Sequence, residues 1–301
     1  MNSILQSVFE PGFFASAPVR MALLAGGMAG LVSSVVGIFA VMRGQSYAGH
    51  ALADISVTGG AASYLVGITP LWGFAGVGVA AAAAMDLIGV QRRPGRDLAT
   101  GVVRGAALGL AALFLYWGTT STSTTGATVT VLFGSIFTIS TSTAAVAALL
   151  GAIALGIVAG LYRPLLLSSA SPELAFARGI PVRATGALCL MAIALAVSLS
   201  ALTIGAILST ALLVGPAAAA LRLTSKPGVA ILWSVVIGLA ATWLGVLLAY
   251  DSYYWPPAHQ GWPVSFFVVA VVLFFYLLAQ FARPAGTRRD KAAAGQAEAG
   301  G

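Results

Sequence analysis

The chain has 301 residues, of which 59% are hydrophobic and only 8% charged, and its mean hydropathy is +0.97. A soluble globule carries about 25% charged residues, so this chain has too few polar groups to cover a water-facing surface and takes the lipid bilayer as its solvent. The net charge of +7 is scattered as single basic residues and short clusters between apolar runs; this gives no basic face for a phosphate backbone, excludes nucleic acid as a partner, and matches the loops of a membrane protein.

In chain order, residues 1–18 lack a basic stretch followed by a clean apolar core. They are therefore expected to be an N-terminal segment on the periplasmic side rather than a cleaved signal. Apolar spans are expected at about 19–42, 46–68, 70–90 and 97–117. The Thr/Ser-rich stretch Gly118–Gly126 then forms an outer loop. The run Val129–Ser140 is too short to cross and reads as a re-entrant or interfacial helix. Further spans follow at about 141–162, twice within 183–222 with a break near Leu202–Gly205, and at 228–250 and 263–282. The fold class is all-α and integral to the membrane: a polytopic bundle of about eight or nine helices over 19–282, with a disordered cytoplasmic tail at 283–301.

Orientation follows from the basic residues. Arg43, the Arg92–Arg96 cluster, Arg163 to Arg183, Arg222 with Lys226, and Arg283 to Lys291 all fall on one side of the alternating path, which is then the cytoplasm. Trp72, Trp117, Tyr250, Tyr253, Tyr254, Trp255 and Trp262 fall at the other side as an aromatic belt. The spacings Gly26/Gly30, Gly101/Gly105/Gly109 and Gly156/Gly160 are small-residue faces, read as helix packing within one subunit before a dimer seam. Cys189, alone in the chain, permits no intrachain disulfide.

Two stretches carry chemistry. In Arg43-Gly-Gln-Ser-Tyr-Ala-Gly-His50-Ala-Leu-Ala-Asp54, His50 and Asp54 are four residues apart and share a helix face. An imidazole and a carboxylate set in a membrane helix are costly. Either they form one structural hydrogen bond, or they handle a divalent metal in transit. Nitrogen plus oxygen suits zinc, manganese or ferrous iron better than calcium or magnesium. Two ligands are too few for a tight tetrahedral site, which suits a carrier, and a symmetric dimer would supply four. Counted from Arg43, the pair lies two to three turns into the inner half of its span. Asp86 and Arg104 are explained by snorkelling or by a mutual ion pair, and His259 as a solvated residue of an outer loop able at most to receive an ion.

The second stretch is the cytoplasmic Ser171-Pro-Glu173-Leu-Ala175-Phe-Ala-Arg178-Gly179. Ser171 is placed to cap a short helix with proline at its first position and Glu173 in its first turn, and Gly179 to close it. Such a helix is either what a cytosolic partner grips or a plain surface feature. Phosphate loops of the Gly-x-x-x-x-Gly-Lys-Ser/Thr kind, His-x-x-x-His and Cys-x-x-Cys pairs and Gly-x-Ser-x-Gly elbows are absent from the sequence. The chain is therefore not expected to be an enzyme, and ATP hydrolysis would belong to another chain.

Taken in order, four pieces resemble the ABC-3 family of permease subunits of bacterial zinc, manganese or iron importers. They are Gly37-Ile-Phe-Ala-Val-Met-Arg43-Gly-Gln-Ser-Tyr47 running into His50 and Asp54, Leu132-Phe-Gly134-Ser135-Ile136, Glu173-Leu-Ala175 with Gly179-Ile-Pro181, and Ile204-Gly205 leading into Ala211-Leu-Leu-Val-Gly-Pro216. The resemblance implies a homodimeric, multi-pass permease of the bacterial inner membrane with cytoplasmic ABC ATPase subunits and a periplasmic or extracellular metal-binding protein. It implies no permanently bound cofactor, a transported divalent metal with zinc favoured, and Glu173, Ala175 and Gly179 as the coupling signature towards the ATPase. That family reads Asp first and His four residues later, whereas here His50 precedes Asp54, so the ligand types survive with their depths exchanged. The rival readings are a secondary metal carrier or channel, and an ABC permease for another small solute.

Overall fold

A computed structural model describes residues 16–88, 96–121, 126–254 and 261–282. Its helices are α1 (Ala17–Met42), α2 (Ser46–Val66), α3 (Pro70–Ile88), α4 (Arg96–Ser121), α5 (Ala127–Phe133), α6 (Thr141–Gly160), α7 (Tyr162–Ala170), α8 (Pro172–Ala177), α9 (Val182–Ile204), α10 (Ser209–Leu223), α11 (Pro227–Asp251) and α12 (Val264–Phe281). No strand occurs among the described residues. The long helices fall where the apolar segments put them, and seven are long and apolar enough to cross a bilayer. The two others differ for separate reasons. At 21 residues, α2 is long enough but is diluted by Gly, Ser, Thr, His50 and Asp54. At 15 residues, α10 is short, about 22 Å against a hydrocarbon core of about 30 Å. Both survive because protein rather than lipid surrounds them.

The centre of the bundle is α1 and α9, whose residues are mostly buried, while α4 and α6 are largely exposed on the outside. α1 packs against α9, α10 and α11, and α2 against α3, α4 and α9. Hydroxyls tie the helices together: Ser33 and Ser200 meet at 2.7 Å, Ser234 donates to the Ser34 carbonyl at 3.0 Å, and Thr58 donates to the Ala107 carbonyl at 2.7 Å. The small-residue faces divide. A methyl on Gly26 or Gly30 would meet Thr242 of α11, so that face does pack within the protomer. A methyl on Gly105, Gly109, Gly156 or Gly160 would meet nothing within 4 Å among the described residues, so those parts of the α4 and α6 faces are unpacked there.

The segment expected to be re-entrant becomes α5 followed by a single 3-10 turn, Ile136–Thr138, and it docks against the break between α9 and α10. The Ala206 amide donates to the Val131 carbonyl at 3.1 Å, and the Ser135 amide to the Leu202 carbonyl at 3.4 Å. Non-helical backbone thus satisfies itself against other backbone, which is how such segments persist away from water. The approach is possible because Gly134 (φ 83°, ψ 172°) and Gly205 (φ 86°, ψ 159°) occupy a backbone region essentially closed to other residues, each with its Cα against the other segment's backbone. Gly205→Ala is expected to destabilise the protein by about 1–3 kcal/mol from backbone strain alone, read as a lowered melting temperature in detergent.

The ends of the bundle differ chemically. Arg43, Arg183 and α8 gather at one end, where Arg222 also donates to Gln280 at 3.1 Å and covers the Tyr276 ring at 4.5 Å. Trp72, Trp117, Tyr253 and Trp262 are exposed at the opposite helix ends. Residues 1–15, Arg92, Arg93, Trp255, His259, the side chains of Arg96 and Tyr254, and the tail from 283 lie outside the described residues.

Candidate metal-transit site

Gly44, with φ 66°, turns the chain out of α1, and α2 starts two residues later. His50 and Asp54 therefore occupy its first three turns on one face, as their spacing requires. Their Nε2 and Oδ2 atoms are 3.8 Å apart. The imidazole is 39% exposed and the carboxylate 12%, so the pair opens to one side of an otherwise buried helix.

A third side chain completes the site. Arg104, reaching across from α4, donates from Nε to Asp54 Oδ2 and from Nη2 to His50 Nε2, the latter at 2.8 Å. Of the two expectations for Arg104 and Asp86, snorkelling or a mutual ion pair, the mutual pair is not formed. Asp86 instead faces Arg183 of α9 at 3.9 Å, and the two carboxylates are served by different arginines on different helices. The reason is packing: α4 lies along α2, and Arg104 meets His50 and Asp54 in the first half of that helix.

Guanidinium nitrogens only donate, so His50 Nε2 must accept. The ring hydrogen then sits on Nδ1 and is offered to Thr210 Oγ1 of α10 at 3.2 Å. Thr210 is thus an outer partner fixing the tautomer and ring plane, as partners of ligating histidines generally do. It leaves the Nε2 lone pair and the Asp54 Oδ2 atom converging on one position, where the guanidinium now lies. No group of three or more His, Cys, Asp or Glu side chains that could hold a metal occurs among the described residues.

Towards the basic end lies a cavity of about 820 Å³, lined by Arg43, Gln45, Tyr47, Asp86, Glu173 and Arg183 among others. It joins the start of α2 to α8. That helix is built as the sequence suggests: Ser171 accepts from the Leu174 amide at 3.3 Å, Glu173 is in the first turn, and Gly179 (φ 75°) ends it with its amide on the Phe176 carbonyl at 2.9 Å. Ala175 is fully buried and seats the helix on the body of the protein. The side chain that stands out is Phe176, 77% exposed beside a half-exposed Leu174. Sequence reasoning passed over Phe176 and Thr210. A bulky aromatic on a six-residue loop helix was the available sign for the first, and nothing in the sequence marked the second.

Comparison with known proteins places this architecture. The model of the ABC 3 transport family matches residues 17–281. The manganese transport system membrane protein MntC of Listeria innocua is 30% identical over 272 residues, covering 90% of this chain and 91% of that protein. The high-affinity zinc uptake system membrane protein ZnuB of Haemophilus influenzae is 25% identical, covering 77% of this chain and 88% of its own. The solved structure of PsaBC from Streptococcus pneumoniae in complex with Fab superimposes with a TM-score of 0.79 at 25% identity, over 93% of this chain and 96% of that one. An all-helical, multi-pass inner-membrane chain that matches this family along all of its described spans belongs to the ABC 3 transport family.

Proposed function

We propose that this chain is the permease subunit of an ATP-driven importer for divalent transition-metal ions, with manganese preferred over zinc, and that His50 and Asp54 hold the ion briefly as it crosses. The observation that carries this reading is the convergence of one imidazole nitrogen and one carboxylate oxygen, 3.8 Å apart, in the first half of a helix mostly buried within the bundle. Two donors bind weakly enough to release, and a nitrogen–oxygen set tolerates manganese as well as zinc. The zinc preference drawn from the sequence gives way because MntC of Listeria innocua matches more of the chain, at higher identity, than ZnuB of Haemophilus influenzae.

In this arrangement residues 1–18 lie outside the membrane, 19–282 form the permease domain, and the tail 283–301 is cytoplasmic. Two copies would pair, and the unpacked glycine faces of α4 and α6 are surfaces through which small residues let helices of a second copy approach. A solute-binding protein would deliver the ion at the aromatic end. Cytoplasmic ATPases would grip α8 at the basic end, through Glu173, Gly179 and the neighbouring exposed Phe176, with Ala175 as its seat.

In proteoliposomes containing the permease with its ATPase, manganese uptake is expected to require ATP, and excess zinc to compete less well than unlabelled manganese. Uptake that proceeds equally without the ATPase would identify a secondary carrier instead. An intact complex that hydrolyses ATP but takes up neither manganese nor zinc would point to another solute.

A further inference from the structure

The geometry points to Arg104 as a resident counter-cation: between transport events its guanidinium occupies the position of the transported ion, and the incoming metal must displace it. This rests on His50 and Asp54 being the transit ligands. The atoms that would face a metal, His50 Nε2 and Asp54 Oδ2, are the same two atoms that the guanidinium engages, through two of its nitrogens. The Nδ1 side of the imidazole is turned away to Thr210 and takes no part. The metal and the guanidinium therefore compete for identical lone pairs, and both cannot be bound at once.

A guanidinium stays charged at any physiological pH. It follows that Asp54 is never left as a bare carboxylate within the membrane when the site is empty of metal, a state that would be costly. Binding is then an exchange of a fixed single charge for a mobile double one, and the energy spent on moving Arg104 is subtracted from the metal's affinity. A site with only two protein donors gains a built-in means of release, because the tethered arginine returns as the ion leaves.

Room for the movement exists. Arg104 is 30% exposed, and one turn away on the same face is Gly101, where an added methyl would meet only the Tyr47 hydroxyl, at 3.9 Å. Tyr47 and Thr100 line the 820 Å³ cavity that also carries the Asp86 and Glu173 carboxylates. The guanidinium can thus withdraw along its own helix towards water rather than into lipid, the direction long cationic side chains favour; the carboxylates of the cavity are matched there by Arg43 and Arg183.

The test is the dissociation constant for Mn²⁺ alone, measured by electron paramagnetic resonance of free Mn²⁺ against purified full-length permease in nanodiscs. Arg104→Gln is expected to bind at least tenfold more tightly than the unaltered protein. Arg104→Lys, which keeps the charge and loses the two-pronged grip, should fall between, and it serves alone if the glutamine variant does not fold. A merely structural arginine predicts the opposite order, since a disordered site binds worse. Unchanged or weaker binding in the variants overturns the proposal. His50→Ala/Asp54→Ala separates the two levels: loss of binding there with a flat Arg104 series removes the counter-cation alone, whereas binding as in the unaltered protein removes the ligand assignment and the counter-cation with it.

Discussion

Asparagine in place of Asp54 is expected to lower the initial rate of manganese uptake about 100-fold while the protein still reaches the membrane. The substitution preserves shape and an acceptor oxygen and removes only the charge. Two unit charges 4 Å apart attract by about 4 kcal/mol at an effective dielectric constant near 20. A divalent ion at ligand distance feels more than that, so several kcal/mol of binding disappear, and each 1.4 kcal/mol is tenfold in affinity. Removing the carboxylate also strands Arg104, which donates to it, and a part-buried charge without its partner can harm the fold by itself. The charge-neutral double variant Asp54→Asn/Arg104→Gln resolves that ambiguity, because it leaves no stranded arginine. If Asp54 is a ligand, the double variant folds well and still fails to transport; if the pair is only a structural clamp, uptake returns. Uptake at the unaltered rate in Asp54→Asn would take the pair out of the pathway.

What the sequence made legible here follows from local physics. Helices of about 20 apolar residues announce themselves wherever lipid is the neighbour, so α1, α3, α4, α6, α9, α11 and α12 could be placed from composition. Gly205 marked the break in the long uncharged stretch, and the Ser171 cap with Gly179 marked α8, because caps and positive φ are requirements of single residues. The face shared by His50 and Asp54 follows from helical period alone. The partner of that face does not. Arg104 is 50 positions from Asp54, and which way α4 turns it depends on how two helices pack, so a mutual pairing with Asp86 was as reasonable from sequence. For the same reason the glycine face of α1 and that of α4 look alike in sequence, although one meets α11 while Gly105 and Gly109 of the other meet nothing among the described residues. Thr210 belongs to the same class: a hydroxyl on a short helix, informative only once α10 is known to lie beside α2.

Aspartate in place of Phe176 is expected to abolish ATP-driven uptake while Mn²⁺ binding by the permease stays unchanged. α8 is only six residues long and could not hold its shape in isolation. It is held by Ser171 at one end, by Gly179 at the other and by Ala175 beneath it, all spent on fixing a helix whose outer side shows Phe176 and Leu174 to water. An exposed aromatic on a rigid support is the usual form of an interface anchor, and truncating one costs about 2–4 kcal/mol of association. That corresponds to roughly 30- to 1,000-fold weaker capture of the ATPase, and the charge adds a desolvation penalty. The measurement pairs co-purification of the ATPase with the permease against Mn²⁺ binding in nanodiscs. Ala175→Leu gives the contrasting result: it pushes α8 off its seat from within, lowers thermal stability, and so weakens coupling by a different route. If Phe176→Asp retains its ATPase and its uptake, α8 is not the contact, and the exposed aromatic must be accounted for by the lipid surface instead.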